Sequence, residues 1–228
     1  MSEAPGDLDS LRAVIARFGL RADKRLGQHF LLDPMLLAKI ARAAGDLRGR
    51  TVLEVGPGPG GLTRALLGAG AARVIAIERD PRCIAALLEL AAKVAPRLEV
   101  IEADALTFDL ADLGEGHIVV VANLPYNIGT ALLLRWLDRI DRLDSLTLMF
   151  QREVAERLAA PPGAPAYGRL SVIVQWLCEV RILLHLPGRA FVPPPQVASS
   201  LVRLRPRARP LAPADKPTLE RVLAAAFG

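Results

Sequence analysis

Asn123, Leu124, Pro125 and Tyr126 are the residues of this chain best suited to handling a planar amine. The asparagine amide offers a carbonyl oxygen. Pro125 biases Leu124 toward extended φ/ψ, which turns the Leu124 carbonyl outward beside it. Two fixed acceptors in one small space suit an NH2 group, and Tyr126 adds a flat face on which a base could stack. The four residues therefore form a candidate clamp for the exocyclic amine of a nucleobase or for a planar amide. A plain turn, with Asn123 bonded to its own backbone and Tyr126 in the core, is built from the same residue types.

A buried strand has to deliver that turn. Ile118, Val119, Val120, Val121 and Ala122 form an apolar, mostly β-branched run without alternation, the pattern of a strand covered on both faces in a parallel sheet. Pro125 cannot continue a central ladder, so the sheet ends at Asn123. Asn123 and Tyr126 then project beyond the carboxyl edge, where open α/β sheets hold their ligands.

Earlier strands bring more chemistry to the same edge. Thr51–Val55 leads into Gly56-Pro57-Gly58-Pro59-Gly60-Gly61 and then a helical pattern from Leu62 to Leu67. The glycines satisfy G-x-G-x-x-G, so a dinucleotide site has to be weighed. A pyrophosphate needs backbone N–H donors, however, and Pro57 and Pro59 each remove one. Glu54, just before the loop, is also unwelcome near phosphate; it suits a positively charged ligand such as the ammonium and sulfonium of S-adenosylmethionine (SAM). Glu78 ends the next strand, Arg73–Glu78, where a ribose-binding acid belongs. Asp104 follows a third, Leu98–Glu102, as a candidate acceptor for an adenine amine or as an ordinary loop aspartate.

The remaining pattern supplies a frame. A helical stripe over Leu8–Phe18 ends at Gly19, and Asp33-Pro34 opens a helix running toward Ala44. Between them, Lys24-Arg25-Leu26-Gly27-Gln28-His29-Phe30-Leu31 reads as an ordered loop with a task, or as a solvated linker. A helix follows from Pro81 to about Val94, and another spans Thr130–Leu137. Leu146–Gln151 is a strand, and helices cover Arg152–Leu158 and Tyr167 to about Trp176. Val180–Leu186 and Ser200–Arg205 read as a terminal antiparallel pair. A hydrophobic content of 52% is ample for a core, and a net charge of +5 permits a polyanionic partner. Cys83 and Cys178 have no metal or redox spacing, and no apolar run approaches a membrane span, so a cytoplasmic protein is expected.

Taken together, Gly27-Gln28-His29-Phe30-Leu31, Glu54-Val55-Gly56-Pro57-Gly58, Glu78, Asp104, Asn123-Leu124-Pro125-Tyr126-Asn127-Ile128 and Phe191-Val192-Pro193-Pro194-Pro195-Gln196-Val197 follow one family's order. The chain resembles the ribosomal RNA adenine N6-dimethyltransferases, most of all their small-subunit (16S) branch. The resemblance implies a Rossmann-like α/β fold of the class I SAM-dependent methyltransferases, with a mostly parallel seven-stranded sheet and a terminal antiparallel strand. That domain is expected over residues 1–206. Residues 207–228 are then a linker and the start of a small C-terminal helical domain, truncated mid-helix.

The implied cofactor is SAM, giving S-adenosylhomocysteine (SAH), with no metal. Its expected contacts are Gln28, His29 (Asn in many relatives), Leu31, Glu54, Gly56, Gly58, Glu78, Asp104 and Asn123. Catalysis would rest on Asn123, Leu124, Pro125 and Tyr126. Phe191 is either a second stacking face or a core residue. The implied partner is 16S rRNA in the small ribosomal subunit or its precursor, bound by a monomer, with two methyl groups placed on each of two adjacent adenosines in a hairpin near the 3′ end. Arg152, Arg169, Arg189, Arg203 and Arg205 are candidates for phosphate contacts or plain surface charge. Rival readings are the large-subunit resistance branch, which more often has Ile at the position of Leu124, and binding-only assembly or transcription factors on the same fold.

Overall fold

The computed structural model describes residues 8–23 and 27–227; the expected loop segment Lys24-Arg25-Leu26 lies outside them. In chain order the elements are α1 (Leu11–Arg17), β1 (Phe30–Leu31), α2 (Pro34–Ala43), β2 (Thr51–Val55), α3 (Gly61–Gly68), β3 (Arg73–Glu78), α4 (Pro81–Val94) and β4 (Leu98–Glu102). They continue with β5 (Ile118–Ala122), α5 (Gly129–Trp136), β6 (Leu143–Gln151), α6 (Arg152–Ala159), α7 (Arg169–Leu177), β7 (Cys178–Leu186), β8 (Phe191–Val192), β9 (Ser199–Pro206) and α8 (Lys216–Phe227). Local chemistry sets the boundaries. Asp33 caps α2 by accepting the Met35 and Leu36 N–H groups, and Asp80 caps α4 through Arg82; each helix has proline in its first turn, where the missing N–H costs nothing.

Seven strands form one sheet in the order β4-β3-β2-β5-β6-β9-β7. The five from β4 to β6 are parallel, and β9 runs antiparallel to both β6 and β7. The expected terminal pair is present, with the last strand of the chain inserted beside β6 rather than added at the edge. Both faces are covered, as the unalternating β5 requires: Val119 and Val121 pack with α2, α3 and α4, while Val120 and Ala122 pack with α5, α6 and α7. Strand order reverses between β2 and β5, so the glycine loop and the Asn123–Tyr126 turn leave adjacent strands at the same edge.

Two short pieces complete the frame. Residues β1 and β8 pair antiparallel, Phe30 with Val192 and Leu31 with Phe191, and tie the segment before α2 to the proline-rich loop. After β9, the Leu211 N–H donates to the Trp176 carbonyl and the Trp176 indole donates to the Ala212 carbonyl, so the chain is strapped to α7 before α8 buries Leu223. Among the described residues no helix is long and apolar enough to cross a membrane.

Candidate active site

A cleft of about 920 Å³, including its open mouth, lies at the carboxyl edge between β2 and β5. Its floor is acidic. Glu54, only 1% exposed, accepts a 2.6 Å hydrogen bond from the Thr63 hydroxyl. Burial, opposed by that bond and assisted by the nearby Glu78 charge, pushes its carboxyl up to about 8. Glu78, also buried, accepts three backbone bonds: Gly58 N–H on Oε2 at 3.1 Å, and Arg79 and Asp80 N–H on Oε1 at 2.8 and 2.9 Å. Burial is again the largest influence and raises its pKa.

The glycine loop is shaped against phosphate. The Gly56 N–H is given to the Ile77 carbonyl, Gly58 to Glu78 and Gly60 to the Pro57 carbonyl, which leaves these donors inside the protein. Gly58 has φ +55°, and a Cβ there would sit 3.1 Å from the Phe30 ring, so glycine is required both for conformation and for space. At Gly56, φ is +66° and a Cβ would lie 3.5 Å from Pro125 Cδ, so the loop and the Asn123–Tyr126 turn are in direct apposition.

The segment before α2 closes one side. Gln28 Nε2 donates to Asp80 Oδ2 at 3.0 Å, and its Oε1 accepts the Asp23 N–H at 2.9 Å. Asp80 is held down to about 2, first by the Arg82 guanidinium. The His29 carbonyl accepts the Asn123 Nδ2 at 3.0 Å, while its Nδ1–H donates to the Pro193 carbonyl at 2.7 Å. The His29 and Tyr126 rings stack, with centroids 5.5 Å apart and planes at 29°.

Asn123 is therefore fixed by a residue far away in sequence and not by its own turn. With Nδ2 engaged, Oδ1 is left as an acceptor; neither it nor the Leu124 carbonyl receives a hydrogen bond from another described residue. Both residues line the cleft, as do Leu31, Pro125 and the half-buried Tyr126. Asp104 lines the far side, with Oδ1 capping Leu106 and Oδ2 paired with Arg79 at 3.1 Å.

Every expected cofactor contact lines this cleft, but one expected stacking residue does not. Phe191 is 1% exposed and packs in the core on the α2 side, because its register with Leu31 directs the ring inward. Its core reading is the one the geometry supports. Among the candidate arginines, Arg203 is half-buried and bonds the Ala43 carbonyl, and Arg152 pairs with Glu156 one helical turn away. Arg169, Arg189 and Arg205 are exposed. Thr63, Arg79 and Ser199 were missed as site residues, because single polar residues at a helix start, a loop start and a strand start carry no distinguishing pattern.

A buried acid with a raised pKa links stability to pH. Between the ordinary value of 4.5 and about 8, the folded protein keeps a proton on Glu54 that the unfolded chain releases. Stability conferred by the neutral form is complete below 4.5 and is lost as pH rises through 8. Melting temperature without cofactor should fall across this window, and Glu54→Gln should flatten the fall; an equal slope in the variant would assign the effect elsewhere.

A doubly covered, mostly parallel sheet with an acidic, glycine-lined cleft at its switch point defines the Rossmann-like methyltransferase class. Residues 19–228 match the ribosomal RNA adenine dimethylase family, and the chain belongs to that family. It is 64% identical over 222 residues to the ribosomal RNA small subunit methyltransferase A of Paramagnetospirillum magneticum, covering 97% of this chain and 79% of that one. The protein of the same name from Rhodospirillum rubrum is 60% identical, with 100% and 79% covered. Among solved structures, a dimethyladenosine transferase from Plasmodium falciparum superposes with TM-score 0.71 at 35% identity, covering 78% of this chain and 64% of that one. The 23S rRNA methyltransferase ErmE also gives TM-score 0.71, at 33% identity, covering 86% and 76%.

Proposed function

We propose that this chain transfers methyl groups from SAM to N6 of two adjacent adenosines near the 3′ end of 16S rRNA, in the small subunit or its precursor. The observation that carries the reading is the meeting of the two loops: the acidic glycine-loop cleft ends against a turn presenting Asn123 Oδ1 and the Leu124 carbonyl. The names of the relatives at 64% and 60% identity support the small-subunit substrate.

The cleft fits SAM by its chemistry. Glu54 and Glu78, both buried with raised pKa values, suit a ligand bearing positive charge, which favours their ionised forms over the protonated form that Glu54 holds without cofactor. Gly58 lets the loop pack against the Phe30 ring. Glu78 is the natural acceptor for ribose hydroxyls and Asp104 for the cofactor adenine, with Gln28, His29 and Leu31 closing the side. SAM when bound supplies an electrophilic methyl on sulfur.

The protein's part is to prepare the nucleophile. Adenine N6 is weakly nucleophilic because its lone pair is delocalised into the ring. Asn123 Oδ1 and the Leu124 carbonyl accept its two N–H bonds, aim the lone pair, and stabilise the positive charge that develops on nitrogen. Tyr126 supplies a stacking face for the extruded base. The methylated aryl ammonium is acidic enough to lose its proton to water, so no strong base is needed.

The test is incubation with methyl-labelled SAM and undermethylated small subunits or, separately, large-subunit rRNA. Label on paired adenosines of the small subunit is expected. Label on large-subunit rRNA alone would overturn the substrate assignment, and absence of label despite SAM binding would overturn the activity.

A further inference from the structure

Tyr126 stands on a turn fixed by its backbone: the Ile128 and Gly129 N–H groups both donate to the Pro125 carbonyl at 3.1 Å. That leaves the ring free to swing about χ1 and to rotate about χ2. Two contacts remove these freedoms separately. The phenol oxygen lies 2.5 Å from Ser199 Oγ, within hydrogen-bond reach. A tether at the para position lies on the χ2 axis, so it stops the swing about χ1 but not a ring flip. The stacked His29 ring bears on the face and restrains the plane.

Ser199 is a rigid anchor for this purpose. It is fully buried at the start of β9, paired with Gln151 on one side and Leu186 on the other, and the Ala198 carbonyl beside it accepts the Arg152 N–H at 2.9 Å. Tyr126 is only partly buried, so water could satisfy its hydroxyl without Ser199. Simple packing would be served by phenylalanine at 126 and alanine at 199. Placing a fully buried hydroxyl against a half-exposed phenol makes sense where ring direction matters.

We infer that Ser199 is a positioning residue for the target base, acting through the Tyr126 hydroxyl to stop the χ1 swing and so hold the stacking ring in place relative to Asn123, while His29 restrains its plane. This rests on the proposed adenine chemistry, since the face is useful only if a planar base stacks on it. A single neutral hydrogen bond contributes about 0.5–1.5 kcal/mol, so its loss should lower turnover by roughly 2- to 12-fold and leave cofactor affinity unchanged.

The experiment compares Ser199→Ala, Tyr126→Phe and the double variant. Turnover and KM are measured on undermethylated small subunits, SAM affinity by calorimetry, and the tyrosine rings by NMR on ¹³C-tyrosine protein. The chain has 2 tyrosines, so Tyr167→Phe assigns the spectrum. Expected results are a fall in kcat for Ser199→Ala, no further fall in the double variant beyond Tyr126→Phe, unchanged SAM affinity, and a shift or broadening of the Tyr126 ring signals only. Unmoved Tyr126 signals, or additive losses in the double variant, would overturn the inference. If the wild-type protein transfers no methyl to rRNA, the functional proposal fails, while the ring signals still decide whether Ser199 holds Tyr126.

Discussion

Asn123→Ala should lower kcat for methyl transfer by about 10²–10³-fold, the scale seen when one preorganised group facing a developing charge is removed. The side chain has two duties. Its Oδ1 is an acceptor facing the cleft, and its Nδ2 holds the His29 carbonyl at 3.0 Å. Alanine abolishes the first and releases the second, so the remaining acceptor, the Leu124 carbonyl, has to hold N6 alone. Asn123→Asp separates the duties: a carboxylate can accept from N6 but cannot donate to His29, and it places oxygen against oxygen. Single-turnover transfer with saturating SAM measures the chemical step. If Asn123→Ala retains more than about a tenth of wild-type kcat, Asn123 is a cofactor contact and the assigned acceptor role is wrong.

The sequence pattern revealed strands and acids more readily than the contacts that orient them. β5 was readable because a doubly covered strand needs an unbroken apolar run, and the turn after it because proline ends a ladder. The α4 limits, Pro81 and Val94, followed from a proline first turn and a helical stripe. Glu54 and Glu78 both line the cleft, a position legible because each stands at the carboxyl end of a strand just ahead of a loop. The glycine loop needed structure to complete the argument. Pro57 and Pro59 already spoke against a pyrophosphate, but only the geometry assigns the Gly56, Gly58 and Gly60 N–H groups to partners within the protein.

What sequence did not reveal is long-range and short in extent. β1 and β8 are two residues each, too brief for any period, and they pair across more than half the chain. Without that pairing Phe191 looked available for stacking, whereas its register with Leu31 buries it. His29 lines the cleft as expected of a cofactor contact, but its stacking on Tyr126 and the reach of its Nδ1 to the Pro193 carbonyl, a contact set by the same pairing, carried no signal in the sequence. Ser199 joins Tyr126 only because β9 is inserted next to β6, which brings its first residue to the carboxyl edge.

Glu78→Ala carries the second large expected effect, on both binding and folding. The carboxylate has about four lone-pair positions, and the Gly58, Arg79 and Asp80 N–H groups take three, leaving capacity on Oε2 for a ribose hydroxyl. Losing a hydrogen bond to a charged group costs about 1.5–3 kcal/mol, so SAM affinity should fall by roughly 10- to 150-fold. SAH should weaken equally, because the ribose is common to both. The three backbone donors are also left without their acceptor in a buried pocket, so the melting temperature should drop even without ligand. Glu78→Gln tests the geometry more finely. If its oxygen serves Arg79 and Asp80, its NH2 faces the Gly58 N–H, donor against donor, and the glycine loop is pushed from Pro125. Calorimetry with SAM and SAH, and thermal melts without ligand, check both parts. Affinities within twofold of wild type would remove Glu78 from the ribose site, and a loss confined to SAM would place it beside the sulfonium instead.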